Sequence, residues 1–436
     1  MKKFVLFLAM IILALSGALN AQGTWTLQTN PTTASGESMQ FVSITEGWIG
    51  MDSNQLLHTT NSGDVWNVVT PSTTDVTWGM NAPGSRISFI SPSTGWVVKT
   101  LGPNNDTANG AVLYKTTNGG SIWTRILLST VAGVGAVQVQ FVDANNGWIL
   151  LFNMNTGEPV FLKTTDGGAT WLPTNGAGIF YYLNPTVGYA FSAGPDAPPP
   201  YTISKTTDGG ATWTAQYTDN TLGELQAIQF TDLNHGWIVG SRGKILKTVN
   251  GGTTWTPVTH PGITSNYENL TVNFLDSNTG FISSRDNTLW TNQYFMLHTT
   301  DGGNSWTQQI LPFTARIYSA YFWDANHGWA ASDSGTMSTG QIARYVNALG
   351  VGDVQNGLKD LVVYPNPNSG TFKFKSDRLK FPVSIEIYDT AGKKVFEKNA
   401  VNAAQYQVEF KPQNTGLYFL KVSDGNNTFS EKLIVK

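Results

Sequence analysis

The chain has 436 residues, 13% of them charged and 12% aromatic, with 45 glycines, 15 tryptophans and no cysteine. The formal net charge is −3, unevenly divided: residues 22–357 hold 12 Lys and Arg against 21 Asp and Glu, and residues 358–436 hold 12 against 8. Without cysteine there is no disulfide, thiolate metal site, cysteine nucleophile or lipidated N-terminal cysteine, and the acidic main part lacks the basic footprint that a nucleic-acid partner requires.

Residues 1–21 read as an export leader: Met1-Lys2-Lys3, an apolar run over 4–15, then small residues to Ala21. The run is shorter than the about 20 residues that span a bilayer, so no membrane span is expected in the mature protein. Cleavage is expected after Ala21, with Ala18 as the alternative.

Two phrases then alternate along the chain. The first, "KTTDGGATW", begins at both Lys163 and Lys205, and looser copies bring the number to six, ending at Trp66, Trp123, Trp171, Trp213, Trp255 and Trp306. The second runs from an aromatic residue to Gly-Trp or its equivalent, as in "FVDANNGW". It occurs seven times, with its glycine at 47, 95, 147, 188, 236, 280 and 328. Periods of this size indicate a propeller or a solenoid. Each unit reads as four short strands. The Asp-Gly and Asn-Gly pairs of the first phrase are strong hairpin signals, and an Asp or Asn there can bond the backbone of its own turn. Four antiparallel strands per period predict propeller blades.

Seven copies of one phrase against six of the other predicts ring closure. Trp25-Thr26-Leu27 matches the strand that follows each first phrase, so the N-terminal strand is expected to complete a seventh blade begun by 317–346. Closure removes the open sheet edge. The box tryptophans, Trp171 and Trp213 among them, are expected to pack between neighbouring units. The fold class is therefore all-β: a seven-bladed β-propeller over 22–347, a Gly-rich linker over 348–357, and a tail over 358–436. The tail alternates strands with Asn-Pro, Ala-Gly and Asp-Gly turns, as a small immunoglobulin-like β-sandwich does.

The pattern S/T-x-D/N-x-G-x-x-W resembles the Asp-box (BNR) repeat of sialidases and related propellers. The Gly-Trp phrase resembles the photosystem II assembly-factor type of seven-bladed propeller. The resemblance covers about 22–347. It implies that Asp166, Asp208 and Asp301, and the departures Asn61, Asn118 and Asn250, are structural along with the six box tryptophans. It leaves activity open, because enzymes and binders share the fold. The tail sequences "VVYPNPNSGTFKF", "IEIYDTAGKKV" and "TGLYFLKVSDGNNTFSEKLIVK" resemble the type A C-terminal sorting domain of the Bacteroidota type IX secretion system. That resemblance implies the type IX machinery as partner of 358–436 and an extracellular or outer-surface location.

The irregular insertions, at 99–112, 151–160, 192–202 and 284–295, fall on the face opposite the two repeated turns. A scaffold with one plain and one varied face usually carries function on the varied loops. Glu224, Glu268 and Arg316 each stand six positions before the aromatic that ends an inner strand, which places them at the channel mouth. Two carboxylates there suit general acid–base work on a glycoside; the alternative is a solvated rim with a salt bridge. A sialidase would need three channel-facing arginines, but only Arg86 and Arg316 stand just ahead of an inner strand. Trp78, Tyr181, Trp290, Tyr294 and Tyr318 are the aromatics available on the varied face for sugars or a protein partner; the alternative is blade packing. The five histidines occupy blade positions far apart in a ring, so no metal is expected. No phosphate or dinucleotide fingerprint occurs, so no cofactor is expected. The expectation is a secreted or cell-surface binding module for a glycan or surface protein. A glycoside hydrolase using Glu224 and Glu268, and a structural or adhesin part of a surface assembly, are the alternatives.

Overall fold

A computed structural model describes residues 23–435, except 79–85, 103–108, 193–199, 222, 260–264, 289–292, 334–338, 348–360, 367, 376–379, 390–392, 403–406, 412–414 and 425–427. The expected leader 1–21 and expected linker 348–357, together with Trp290, Pro198 and Pro199, lie outside the described residues, and of Trp78 only the backbone is described. The chain divides into two compact units, one of Thr24–Val346 and one that includes Asn347–Lys436.

The first unit holds seven antiparallel sheets. Their inner strands are Gly36–Phe41, Ile87–Phe89, Val134–Phe141, Ile179–Tyr182, Leu225–Phe230, Tyr267–Phe274 and Ile317–Asp324, one for each of blades 1 to 7. Each inner strand touches the next, and blade 7 touches blade 1, so the ring closes. The seventh sheet takes Thr24–Gln28 as its outer strand, paired in register from Thr24↔Val346 to Gln28↔Ile342. Blade 2 departs from the pattern: Thr77–Trp78 and Ile87–Phe89 share the inner edge of Gly95–Leu101.

The repeated phrases build the seams between blades. The aromatic after each phrase glycine stacks flat on the ring that ends the next blade's inner strand, at centroid distances of 3.5 to 4.6 Å over all seven seams. The box tryptophans Trp66, Trp123, Trp171, Trp213, Trp255 and Trp306 then meet that ring edge-on, at 5.8 to 6.4 Å. Blade 7 has no box; Trp25 meets Phe322 edge-on at 5.8 Å in its place. The phrase glycine is required by close approach. A Cβ at 47, 95, 147, 188, 236, 280 or 328 would lie 2.1 to 2.6 Å from the strand-ending ring of its own blade. Flat and edge-on aromatic pairs each contribute about 0.5–1.5 kcal/mol beyond their area.

The box turns follow one geometry. In blade 3, Asp166 Oδ1 accepts the Thr164 hydroxyl at 2.7 Å and the Thr170 N–H at 2.9 Å, while its Oδ2 accepts the Thr170 hydroxyl at 2.6 Å. Asp208 and Asp301 repeat this with Thr212 and Ser305. Asn61 and Asn118 stand where the residue four positions on is Val65 or Ile122, which has no hydroxyl to donate. Asn250 instead donates its own N–H to Thr254 Oγ1 at 2.9 Å. The box side chain is thus matched to its partner four residues away.

In the second unit, Val362–Tyr364, Thr371–Lys375 and Gln407–Glu409 form one sheet, and Val383–Tyr388, Lys394–Val401, Gly416–Ser423 and Thr428–Val435 form another. Phe372, Phe374 and Val408 of the first share one core with Ile385, Ile387, Leu420 and Val422 of the second, a two-sheet sandwich. Strict alternation of buried and half-buried residues in Val383–Tyr388 is what one covered face requires.

Candidate functional site

Strand direction fixes two unlike faces. The turn after each inner strand and the box turn lie on one face; the remaining connections lie on the other, together with the first residues of the inner strands. A central cavity of about 730 Å³ runs between them, lined by the inner strands.

A row of side chains one position before each strand-ending ring supports the cavity wall. Gln40 donates to Phe89 O and accepts from Phe89 N, both at 2.8 Å. Gln140 does the same to Tyr182, and Gln229 to Phe274. Ser88 accepts from Phe141 N, Asn273 from Phe322 N, and the Tyr181 hydroxyl donates to Phe230 O at 3.0 Å. Each contact bonds the main chain of the residue that ends a neighbouring blade's inner strand.

At the varied mouth the charges are paired. Glu268, only 8% exposed, holds Arg285 Nη2 at 2.5 Å on one oxygen and Arg316 Nη2 at 2.8 Å on the other. The Arg316 guanidinium also lies 5.7 Å from the centre of the Tyr318 ring. Across the seam between blades 1 and 2, Glu37 and Arg86 approach to 3.5 Å, both buried. The buried Lys99 ammonium donates to the Met51 carbonyl. Burial pushes the Glu37 carboxyl up and the Lys99 ammonium down to about 8, each partly opposed by the other's charge. Asp333 accepts from Ser35 Oγ at 3.0 Å and from the Tyr318 hydroxyl at 3.4 Å. Burial pushes the phenols of Tyr318 and Tyr181 up to about 12.

These contacts locate the residues singled out in the sequence. Arg86, Tyr181, Arg316 and Tyr318 all line the cavity. Arg316 and Glu268 touch. Glu224 stands on the rim of blade 5, its main chain bonded to Ser241 and its carboxylate accepting from Gln226 at 3.3 Å. Tyr294 is not on the surface: it is 3% exposed and packs in the core shared by blades 6 and 7, beside Arg285. Trp78 pairs through its backbone with Thr100 at the top of blade 2. His58 and His298 stack on Trp48 and Phe281, and His235 and His327 bond the aspartates of their own turns. Among the described residues no three metal-ligating side chains come together, and no helix is long and apolar enough to cross a membrane.

Comparison with known proteins agrees with this geometry. Residues 362–436 match the secretion system C-terminal sorting domain, and residues 218–315 match the photosynthesis system II assembly factor YCF48. The structure of YCF48 bound to D1 peptide is 20% identical and superposes with a TM-score of 0.55, over 74% of this chain and 95% of that one. The chain is a BNR-type β-propeller with a secretion-system sorting tail. YCF48 from Cyanidioschyzon merolae is 18% identical over 74% of this chain and 98% of that one, TM-score 0.49. A GH74 enzyme from Niastella koreensis is 14% identical over 91% and 78%, TM-score 0.34. No curated protein matches in sequence. At these identities the likeness concerns the propeller fold. The sorting tail makes this a propeller exported by the type IX system.

Sequence reading missed Glu37, Lys99, Arg285 and Asp333 at the propeller's mouth. A signal existed for two of them. Lys99 stands four residues after its phrase glycine, where other blades carry Met51, Leu151, Ser284 or Ser332; Arg285 stands five after, alongside Asp52 and Asp333. A charge at a core position of a repeat marks a site that must be paired.

Proposed function

We propose that this propeller is an exported binding module that takes a carbohydrate or protein ligand at the channel mouth on its varied face. The leader 1–21 is removed, the propeller occupies 22–347, and 348–357 links it to the sorting tail 358–436, which delivers it to the surface of a Bacteroidota cell or beyond. The observation that carries the reading is the state of Glu268. Both its oxygens are held by guanidinium groups, so it serves to fix Arg316 and Tyr318 at the mouth rather than to exchange protons with a glycoside. A rigid, charge-paired rim around a polar cavity suits recognition. The exposed part of Arg316, the Tyr318 ring and Tyr181 deeper in the channel are the contact groups.

A binding screen of the exported protein against glycans and surface proteins tests this. Tyr318→Ala is expected to weaken the ligand found by at least about tenfold while leaving the melting temperature within a few degrees. Binding that is indifferent to Tyr318→Ala and Arg316→Ala overturns the site. Turnover of a polysaccharide that disappears in Glu268→Gln would instead establish the hydrolase.

A further inference from the structure

We infer that the plain face, where the repeated turns lie, holds a second binding site at its end of the channel, in which a bulged Trp323 and a collar of glutamine amides take a neutral sugar. This site is independent of the varied-face mouth proposed above.

The site begins with a change of turn. In blades 1 to 6 the residue after the strand-ending ring donates its N–H to the carbonyl four positions on, from Val42 to Glu46 at 2.9 Å in blade 1 and from Leu275 to Thr279 at 2.9 Å in blade 6. Val42, Val142, Leu183 and Leu275 at this position pack partly into the blade cores. Blade 7 instead carries its hairpin ladder further. The register shifts between Phe322↔Gly328 and Asp324↔His327, so Trp323 is the extra residue of a bulge. Bulges re-aim a side chain that regular alternation would place elsewhere. Here Trp323 is left 41% exposed and lines the end of the cavity, as Leu275 does. A large aromatic set at a cavity mouth suits ligand contact. The turns that follow the inner strands and the box turns all lie among the described residues.

The wall behind the indole is polar and uncharged. Gln40, Gln140 and Gln229, one residue before their rings, are half-buried and line the cavity. Each uses one amide N–H and one carbonyl lone pair on the neighbouring blade. A carboxamide has two of each, so each of these amides keeps a donor and an acceptor for the channel. The charged residues that line the cavity, Glu37, Arg86 and Arg316, all stand near the starts of their strands. Arg316 is seven residues before Trp323, roughly 20 Å along the strand.

These groups select the ligand. An ion among them would lose water without meeting an opposite charge. A wholly apolar ligand would leave the amides unsatisfied. A sugar ring offers a flat C–H face to an indole, and its hydroxyls donate and accept as the amides do.

Calorimetric titration of the full exported chain with glucose, galactose, mannose, N-acetylglucosamine and their disaccharides tests this. At least one is expected to bind. Trp323→Ala, a change at an exposed side chain, is expected to weaken it by at least about tenfold, and Trp323→Tyr to recover most of the loss. Sugar binding that ignores Trp323→Ala but is lost in Tyr318→Ala overturns this site and leaves the varied-face reading standing. A uronic acid that binds at Trp323 more tightly than its parent hexose overturns the neutral class. No binding of any of these sugars overturns the inference, and a protein ligand at the varied-face mouth is then judged by its own screen.

Discussion

Asp301 shows how one box side chain translates into pH dependence. Its Oδ1 accepts the Thr299 hydroxyl and the Ser305 N–H, both at 2.9 Å, and its Oδ2 accepts the Ser305 hydroxyl at 2.6 Å. These donors favour the charged form and hold the carboxyl down to about 2 from its ordinary 3.8. A depressed folded pKa gives stability that is present above the unfolded value and lost as pH falls through the folded one. Asp301→Asn should therefore melt below wild type at pH 7, and the gap should close between about pH 4 and pH 2. Melting curves across that range check it; a gap unchanged down to pH 2 would deny the carboxylate its role. The Asp or Asn choice was visible in the sequence, but its reason was not. At Asp166, Asp208 and Asp301 the partner is a hydroxyl four residues away, met only once the turn folds, while Asn250 meets the Thr254 hydroxyl by donating to it. The phrase glycine is similar. Its recurrence was plain at Gly147, yet the cause is the Phe141 ring 2.6 Å from where a Cβ would sit.

The strand, as an element, was legible through its period, and its end-stop aromatics marked the seams. The residue before each aromatic was not understood. "MQF", "VQF" and "IQF" repeat an amide in an otherwise apolar strand, and alternation alone assigns such a residue to solvent. In the ring that solvent is the channel, and the amide reaches across it to the next blade. Gln140 is the cleanest case, with both bonds to Tyr182 at 2.8 Å. Gln140→Leu keeps the strand and removes the clamp, leaving Tyr182 N and O to channel water. The expected cost is about 1–3 kcal/mol by urea denaturation, the range for two lost half-buried hydrogen bonds. A variant as stable as wild type would mean that the stacked rings alone hold the seam. The paired charges at the mouth were hidden for a related reason. Glu37 and Arg86 lie on different blades, and only the curvature of the ring brings them to 3.5 Å.

Closure belongs to the whole molecule. Thr24–Gln28 joins Ile342–Val346, and the Trp25 indole reaches Gln309 Oε1 at 3.0 Å across 284 residues of chain. Trp171 makes the same edge-on contact with Phe141 inside a single blade. The two tryptophans thus have like surroundings and opposite sequence separations. Closing the long loop costs chain entropy that is recovered only when the other blades are already in place. The Trp25 contact should therefore form after the folding transition state, and the Trp171 contact earlier. Trp25→Ala is expected to lose about 2–4 kcal/mol, almost all of it as faster unfolding with the refolding rate unchanged. Trp171→Ala, at a similar cost, should slow refolding as well. Stopped-flow measurements on both variants decide the matter. If Trp25→Ala slows refolding as much as Trp171→Ala does, the ends meet early and the ring forms around a closed seam. If it does not, the N-terminal strand is the last piece to dock, and the seam between Thr24–Gln28 and Ile342–Val346 is where the propeller first opens.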